Sequence, residues 1–438
     1  MPDIGHTVFD TAAASANRLY AEDRPAHDWY RFVLSYPPHL VRHYVAEFGL
    51  GPSSSVLDPF CGTGTTCVEC KMLGVPSTGV EGHPMSCFAS SVKVDWSPDP
   101  DALLHDARAV AARAQDILAA QGIEDNPVLP RSAPDPTALR GLPPEQQRLL
   151  LKGSISPLPL HKTLVLLEAI DSVGCRPFRR HEKLALAKAL VDSIANLHFG
   201  PEVGVTSPKP DAPVVGAWLA GVERMVKDLR VLQRLPGAPA GVRLGDARQI
   251  DQVLGQAGVD AVITSPPYPN EKDYTRTTRL ETVLLGFAKS LSELRALKQT
   301  LVRSNTRGVY KDDADDALVA DLPRVQQLAA EIERRRIEMG KTSGFERMYA
   351  RVTKLYFGGM ARHFTSLRAV LRPGARLAYV VGDQASYLRV MIRTGEILAD
   401  IAQGLGYEVI GRELFRTRLA TATGEQLREE VLLLRWPG

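Results

Sequence analysis

Long apolar runs are missing from this chain. None reaches the roughly 18 to 20 residues that a membrane-crossing helix needs, so the sequence predicts no membrane span. Cysteine is scarce: there are five in 438 residues. An odd, small number predicts a reducing, cytoplasmic setting without a disulfide framework. Charge of one sign is also lacking, with 53 Lys and Arg against 50 Asp and Glu and a net charge of +3. Any nucleic-acid surface must therefore be a local patch and not a global property. Two nucleotide signatures fail as well. In the glycine-rich stretch DPFCGTGTT, Cys67 stands where a dinucleotide loop, G-x-G-x-x-G, needs its third glycine, and no Gly-Lys-Ser/Thr follows to make a phosphate loop. The opening MPDIGHTVFDTAAASANRLYAEDRP carries acidic residues and no continuous apolar core, which argues against a secretory signal.

What is present is an ordinary globular composition, 44% hydrophobic and 24% charged, long enough for two or three domains. Cys61, Cys67, Cys70 and Cys87 lie near one another in sequence, but paired knuckles are missing, so they read as buried thiols and not as a metal set. Residues 55–59 and 77–81 read as parallel strands around the helix TTCVECKMLG, closed by Gly74. GVRLG, VDAVIT, GARLAYVVG, the strand after EILADIAQGLG, and EEVLLLRW supply further strands, with LRPG as a helix stop before the third of them. Strands alternating with helices predict an α/β fold, a Rossmann-like doubly wound sheet.

Two stretches break that alternation. Residues 98–235 read as helical, interrupted by NPVLPRSAPDPTALRGLPPEQ, and 291–349 contain DLPRVQQLAAEIERRRIEMG, with Asp321 as cap, Pro323 in the first turn and Gly340 as stop. The expected organisation is sheet-forming segments 1–97, 236–290 and 350–438, with helical insertions at 98–235 and 291–349 on the sheet's ligand edge. The first insertion is the candidate for target recognition and the second for polymer contact. His198 reads as a core histidine.

In an open α/β sheet, ligands bind beyond the carboxyl ends of the strands. Gly62 and Gly64 give the tight turn there. Asp58 suits a cationic or hydroxyl-rich ligand better than a pyrophosphate. Glu81, at the next strand end, is placed to accept from ribose hydroxyls, and Asp246 from the exocyclic amine of adenine. A nucleoside with a charged amino-acid tail satisfies all three: S-adenosyl-L-methionine.

With those residues in place, the sequence resembles the DNA amino-methyltransferases, which methylate the exocyclic nitrogen of cytosine or adenine. DPFCGTGTT matches the family's cofactor loop at its fixed positions, GVEGHP and GDA resemble the next two motifs, and TSPPY matches the catalytic motif. LSYPPHLVRHYV is similar to the element that packs on the methionine moiety, with Tyr36 where phenylalanine is common. The resemblance implies cofactor contacts from Tyr36, Asp58, Phe60, Cys61, Gly62, Gly64, Thr65, Glu81, Asp246 and Ala247, and catalysis by Ser265, Pro266, Pro267 and Tyr268. It implies double-stranded DNA as partner and a cognate restriction or defence system alongside, with no signal for an oligomeric state. Ser at position 265 favours cytosine N4 over adenine N6 by that resemblance. A transfer-RNA guanine methyltransferase with the same loop chemistry is the other polymer reading.

The physics of Ser265-Pro266-Pro267-Tyr268 agrees. An amine on a base is a poor nucleophile because its lone pair is delocalised into the ring. Acceptors that draw the two N–H groups aside restore it, and the Ser265 hydroxyl and the Pro266 carbonyl are such acceptors. The diproline has stiff φ angles and no N–H, and Tyr268 can stack on a base everted from the duplex. From Lys272 to Lys311 there are nine Lys and Arg against three Asp and Glu. Arg276, Arg279, Arg303 and Arg307 are expected to hold phosphates.

Overall fold

The computed structural model of the chain describes residues 19–31, 35–126, 136–199, 202–256, 258–270, 272–419 and 424–438. The stretch before residue 19, Leu34, residues 127–135 of the proline-rich breaker, and Gly200 with Pro201 lie outside them. Nine strands form among the described residues: β1 Val56–Asp58, β2 Ser77–Glu81, β3 Leu197–Phe199, β4 Val203–Val205, β5 Ala240–Leu244, β6 Val259–Thr264, β7 Leu371–Gly382, β8 Glu408–Leu419 and β9 Gln426–Arg435. Seven make one sheet in the order β5-β2-β1-β6-β7-β9-β8. Neighbours from β5 to β7 run parallel, and β9 runs antiparallel to both β7 and β8. The fold is α/β, as the alternation of strands and helices predicts.

The chain leaves β1 toward β2 and β5, then returns to lay β6 on the other side of β1. Val56 pairs with Ala261 and Leu57 with Val262. This reversal is the switch point where open α/β sheets bind ligands. It sets the DPFCGTG turn and the SPPY turn, remote in sequence, at the ends of adjacent strands.

Side-chain alternation divides the core by sheet face. Leu57, Val80, Val262, Leu377 and Leu432 face one cluster, which holds the helices Tyr349–Leu367 and Thr394–Gly404. Val56, Ala261, Ile263, Ala378 and Val431 face the other, against the helix Pro38–Glu47. Gly64 at φ +89° opens the helix Thr65–Met72, and a Cβ there would lie 2.9 Å from the Ser90 Cβ. A Cβ on Gly79 would meet the Cys61 sulfur at 2.5 Å, so the cofactor-loop cysteine packs directly under β2. Cys61, Cys67, Cys70 and Cys87 are all buried.

The insertions differ from expectation in detail. Helices Pro100–Ala119, Pro157–Ser172, Arg179–Ala189 and Val214–Leu232 do fill the first, but β3 and β4 form an antiparallel pair within it. Short runs such as LHF and VGV suit a pleated ribbon once they pair, and a helical reading of 98–235 overlooks them. His198 sits exposed on β3 and is not a core residue. These helices share a core with Trp29, Tyr30 and the helix Pro84–Lys93. In the second insertion the helix Pro323–Glu338 starts with Leu322 as its N-cap, without a side-chain bond from Asp321. Ahead of that helix, the insertion approaches the helix Tyr349–Leu367 closely: a Cβ on Gly358 would lie 1.8 Å from the Asp315 carbonyl oxygen. Arg334 makes exposed pairs with Glu331 and Glu338 along the helix Pro323–Glu338. LRPG is no helix stop. The helix ends at Leu367, and LRPG begins β7, where the register shifts between Val259 and Ala261 to accommodate it.

Candidate active site

A cavity of about 660 Å³ opens at the switch point. The cofactor loop contributes Pro59 through Thr63 and Thr65 to its wall, and Ser265 through Tyr268 face it from the neighbouring strand. The ends of β2 and β7 add Glu81, Gly82 and Gln384. The second insertion adds Lys298, Thr300 through Asn305 and Gly308, whereas among its described residues the first insertion contributes only Glu202. Tyr36 and Ala247 also line it.

Asp58 does not face the cavity as the sequence reading expects. It is 0% exposed, and its oxygens accept from the Thr264 hydroxyl (2.6 Å), the Tyr36 hydroxyl (3.2 Å) and the Phe60 amide (3.2 Å). The Thr66 hydroxyl, which also bonds Tyr36, donates to the Ile263 carbonyl at 3.0 Å. Asp58 thus fastens the β1 turn to the end of β6. Burial raises its carboxyl to about 6, against the pull of those donors.

Glu81 does line the cavity. One oxygen accepts from the Gly62 amide (2.7 Å) and the other from the His83 amide (2.8 Å). Each carboxylate oxygen has a second acceptor site, so the group keeps capacity for hydroxyl donors in the cavity. Burial lifts it to about 7.

Asp246 is not an open acceptor. The Arg248 guanidinium grips both its oxygens, with contacts of 2.6 to 3.1 Å, and also bonds Asp315 and the Gln299 carbonyl. The carboxylate therefore fixes the second insertion to the sheet, and Ala247 alone of the GDA stretch reaches the cavity. His363 braces that point, bonding the Ala247 carbonyl and the Tyr379 hydroxyl, with Phe60 edge-on at 4.8 Å.

On the β6 side, the Ser265 hydroxyl donates to the Val380 carbonyl at 3.1 Å. With its proton on the Val380 carbonyl, the oxygen is an acceptor shared between the cavity and the neighbouring Tyr268 hydroxyl. The Tyr268 ring lies against Gly382, where a Cβ would come within 2.9 Å of it. A side chain at 382 would push the ring from its place.

The four arginines differ in availability. Arg303 is 4% exposed, and its donors go to Asp313 and to the carbonyls of Lys298, Gln299 and Leu301. It shapes the loop that lines the cavity and has no donor left for a phosphate. Arg279 bonds the carbonyls of Thr275 and Leu149, joining the catalytic segment to the first insertion. Arg276 keeps a buried Nε without a partner. Arg307 lies 3.8 Å from Glu202 and has its guanidinium over the Phe345 ring at 5.9 Å. Sequence reading missed Arg416 and Arg418 of β8, which line the cavity beside Glu429. The period-two spacing of FRTRL was a usable signal, since alternate residues share a sheet face.

Comparison with known proteins agrees with this geometry. A family model described as DNA methylase matches residues 15–88. The Type II methyltransferase M.BsoBI of Geobacillus stearothermophilus is 25% identical over 420 residues, covering 89% of this chain and 80% of the relative. The Type II methyltransferase M.AvaI of a Nostoc species is 23% identical over 421 residues with the same coverage. M.MjaII of Methanocaldococcus jannaschii is 36% identical over a 58-residue stretch, 13% of this chain. With a cofactor-loop turn and an SPPY turn on adjacent strands around one cavity, the chain is similar to DNA methylases over residues 15–88 and to Type II methyltransferases over 89% of its length.

Proposed function

We propose that this protein is a site-specific DNA methyltransferase that methylates the exocyclic amine of an everted base, with cytosine N4 as the target. The observation that carries the reading is the Ser265 bond to the Val380 carbonyl, beside a cavity shared with Gly62 and Glu81. It turns the serine into a fixed acceptor for an amine N–H.

S-adenosyl-L-methionine fits the donor set: Glu81 presents a carboxylate to the cavity for the ribose hydroxyls, and Gly62 and Phe60 form the turn around it. When bound, it supplies a methyl group on a sulfonium, already a strong electrophile. The chain's own task is alignment. Ser265 and the Pro266 carbonyl draw the amine hydrogens aside and turn its lone pair toward the cofactor side. Tyr268 holds the ring flat, and closure of the cavity excludes water. No strong base is required, because the amine proton becomes acidic only as the nitrogen is alkylated.

Lys272, Arg416 and Arg418, which line the cavity, supply a basic rim for the phosphate backbone, with Arg276 and Arg307 as further candidate contacts. The second insertion, which lines the cavity, and Glu202 beside the β3–β4 pair are the material for target reading. A cognate nuclease accompanies this reading by analogy with the Type II relatives.

Incubation with tritiated cofactor and either duplex DNA or transfer RNA tests the polymer. Nucleoside analysis of the product then tests the base. Label in DNA as N4-methylcytosine is the expected result; N6-methyladenine would move the target base, and label in transfer RNA alone would overturn the proposal.

A further inference from the structure

Two side-chain amides in the cavity wall keep buried atoms without a partner: Gln384 Nε2 and Asn305 Oδ1. The residues are 4% and 9% exposed. Buried polar atoms are nearly always bonded, so each exception needs a reason, and a ligand that completes the bond is one.

The main chain at Gln384 and the side-chain amide of Asn305 are held in place. Gln384 follows β7 and exchanges main-chain hydrogen bonds with Ile392 at 3.1 and 2.7 Å. The turn between them holds Leu388 and Arg389 at φ 56° and 65°, a left-handed pair of non-glycine residues of the kind kept at functional sites. Asn305 donates through Nδ2 to the Lys272 carbonyl at 3.1 Å, which fixes its amide and leaves Oδ1 as the open end. Tyr387, inside the turn, donates to the Ser304 carbonyl at 2.8 Å and ties the two segments together. Along β7 and its continuation, alternate residues then have related tasks: Val380 receives Ser265, Gly382 seats Tyr268, and Gln384 presents the unpaired amide.

Resting on the base-methylation reading above, we infer that this wall reads the Watson–Crick edge of the everted base. Gln384 Nε2 donates to the ring nitrogen beside the reacting amine, whose two N–H groups go to Ser265 and the Pro266 carbonyl, and Asn305 Oδ1 remains an open acceptor on the same wall. Cytosine and adenine both carry an unprotonated ring nitrogen next to their amine, whereas thymine and guanine carry a ring N–H there. The wall thus selects amino bases over keto bases.

The test uses the whole protein, wild type and Gln384→Met, on duplexes carrying the methylated site with its natural base or with the deaza analogue that replaces that ring nitrogen by C–H. For wild type, the analogue should lower kcat/KM by about 10- to 100-fold, the effect of leaving a buried donor unpaired. Gln384→Met should lose a similar factor on the natural base, be indifferent to the analogue, and bind S-adenosylhomocysteine as wild type does. A variant as active as wild type, or one that still discriminates against the analogue, overturns the inference and leaves the methylation reading intact. Weakened S-adenosylhomocysteine binding would assign Gln384 to the cofactor and overturn it as well. Wild type that labels no DNA at all defeats the underlying reading, and the inference with it.

Discussion

The two halves of the cavity are built on opposite plans. On the β1–β2 side the carboxylates are engaged by their own protein: Asp58 by Thr264, Tyr36 and Phe60, and Glu81 by the amides of Gly62 and His83. On the β6–β7 side, polar groups are left open: Ser265 with its proton turned away, and Gln384 Nε2 and Asn305 Oδ1 without a partner. A pre-closed hydrogen-bond network holds a loop in shape before a ligand arrives. Open, buried groups instead penalise the empty site and reward a ligand with the complementary edge. The first half is a fixed seat, and the second is a reader.

The largest test of that contrast is Ser265→Ala. Removing the side-chain acceptor placed for the amine should lower kcat by about 100-fold or more, the range for deleting one aligned hydrogen-bonding group in an active site. S-adenosylhomocysteine affinity, measured by calorimetry, should stay near that of wild type. Equal loss of both would erase the division between the halves.

Tyr268→Ala comes next, removing stacking worth roughly 1 to 3 kcal/mol. Gly382→Ala should act in the same direction, because its methyl group would meet the ring at 2.9 Å. Both should raise the KM for DNA and lower turnover with cofactor binding unchanged; fluorescence of a 2-aminopurine at the target position would report the lost stacking.

The seat should show itself in pH. Glu81 is raised from 4.5 to about 7 and Asp58 from 3.8 to about 6, both by burial. The folded protein thus holds more protons than the unfolded chain across that interval, so stability falls as pH rises through it and levels off above about 7. Thermal melts from pH 5 to 8 should show that slope, and Glu81→Gln should flatten it.

The smallest effects separate two arginines that look alike in sequence. Arg307→Ala should weaken DNA binding evenly across sequences and reduce the salt slope by about 1. Arg303→Met should leave that slope alone and lower Tm, because its guanidinium is spent on Asp313 and loop carbonyls.

Strand and helix periodicity, the glycines at 62 and 64 and the SPPY stretch were legible because each rests on short-range chemistry: side-chain alternation, a left-handed φ, a rigid diproline. The partners of Asp58 and Asp246 were not legible for the converse reason. A carboxylate at a strand end looks the same in sequence whether it faces a ligand or a buried guanidinium, and Arg248 lies only two residues from the group it captures.

The amino-acid sequence by itself determined that two ligand turns exist and what each can bond. Only the tertiary structure decided that they meet. The reversal of strand order puts β6 against β1, and the partner of each polar atom is set by segments that the chain brings in from far away. Hydrogen-bond capacity is local, but its satisfaction is a property of the packed whole.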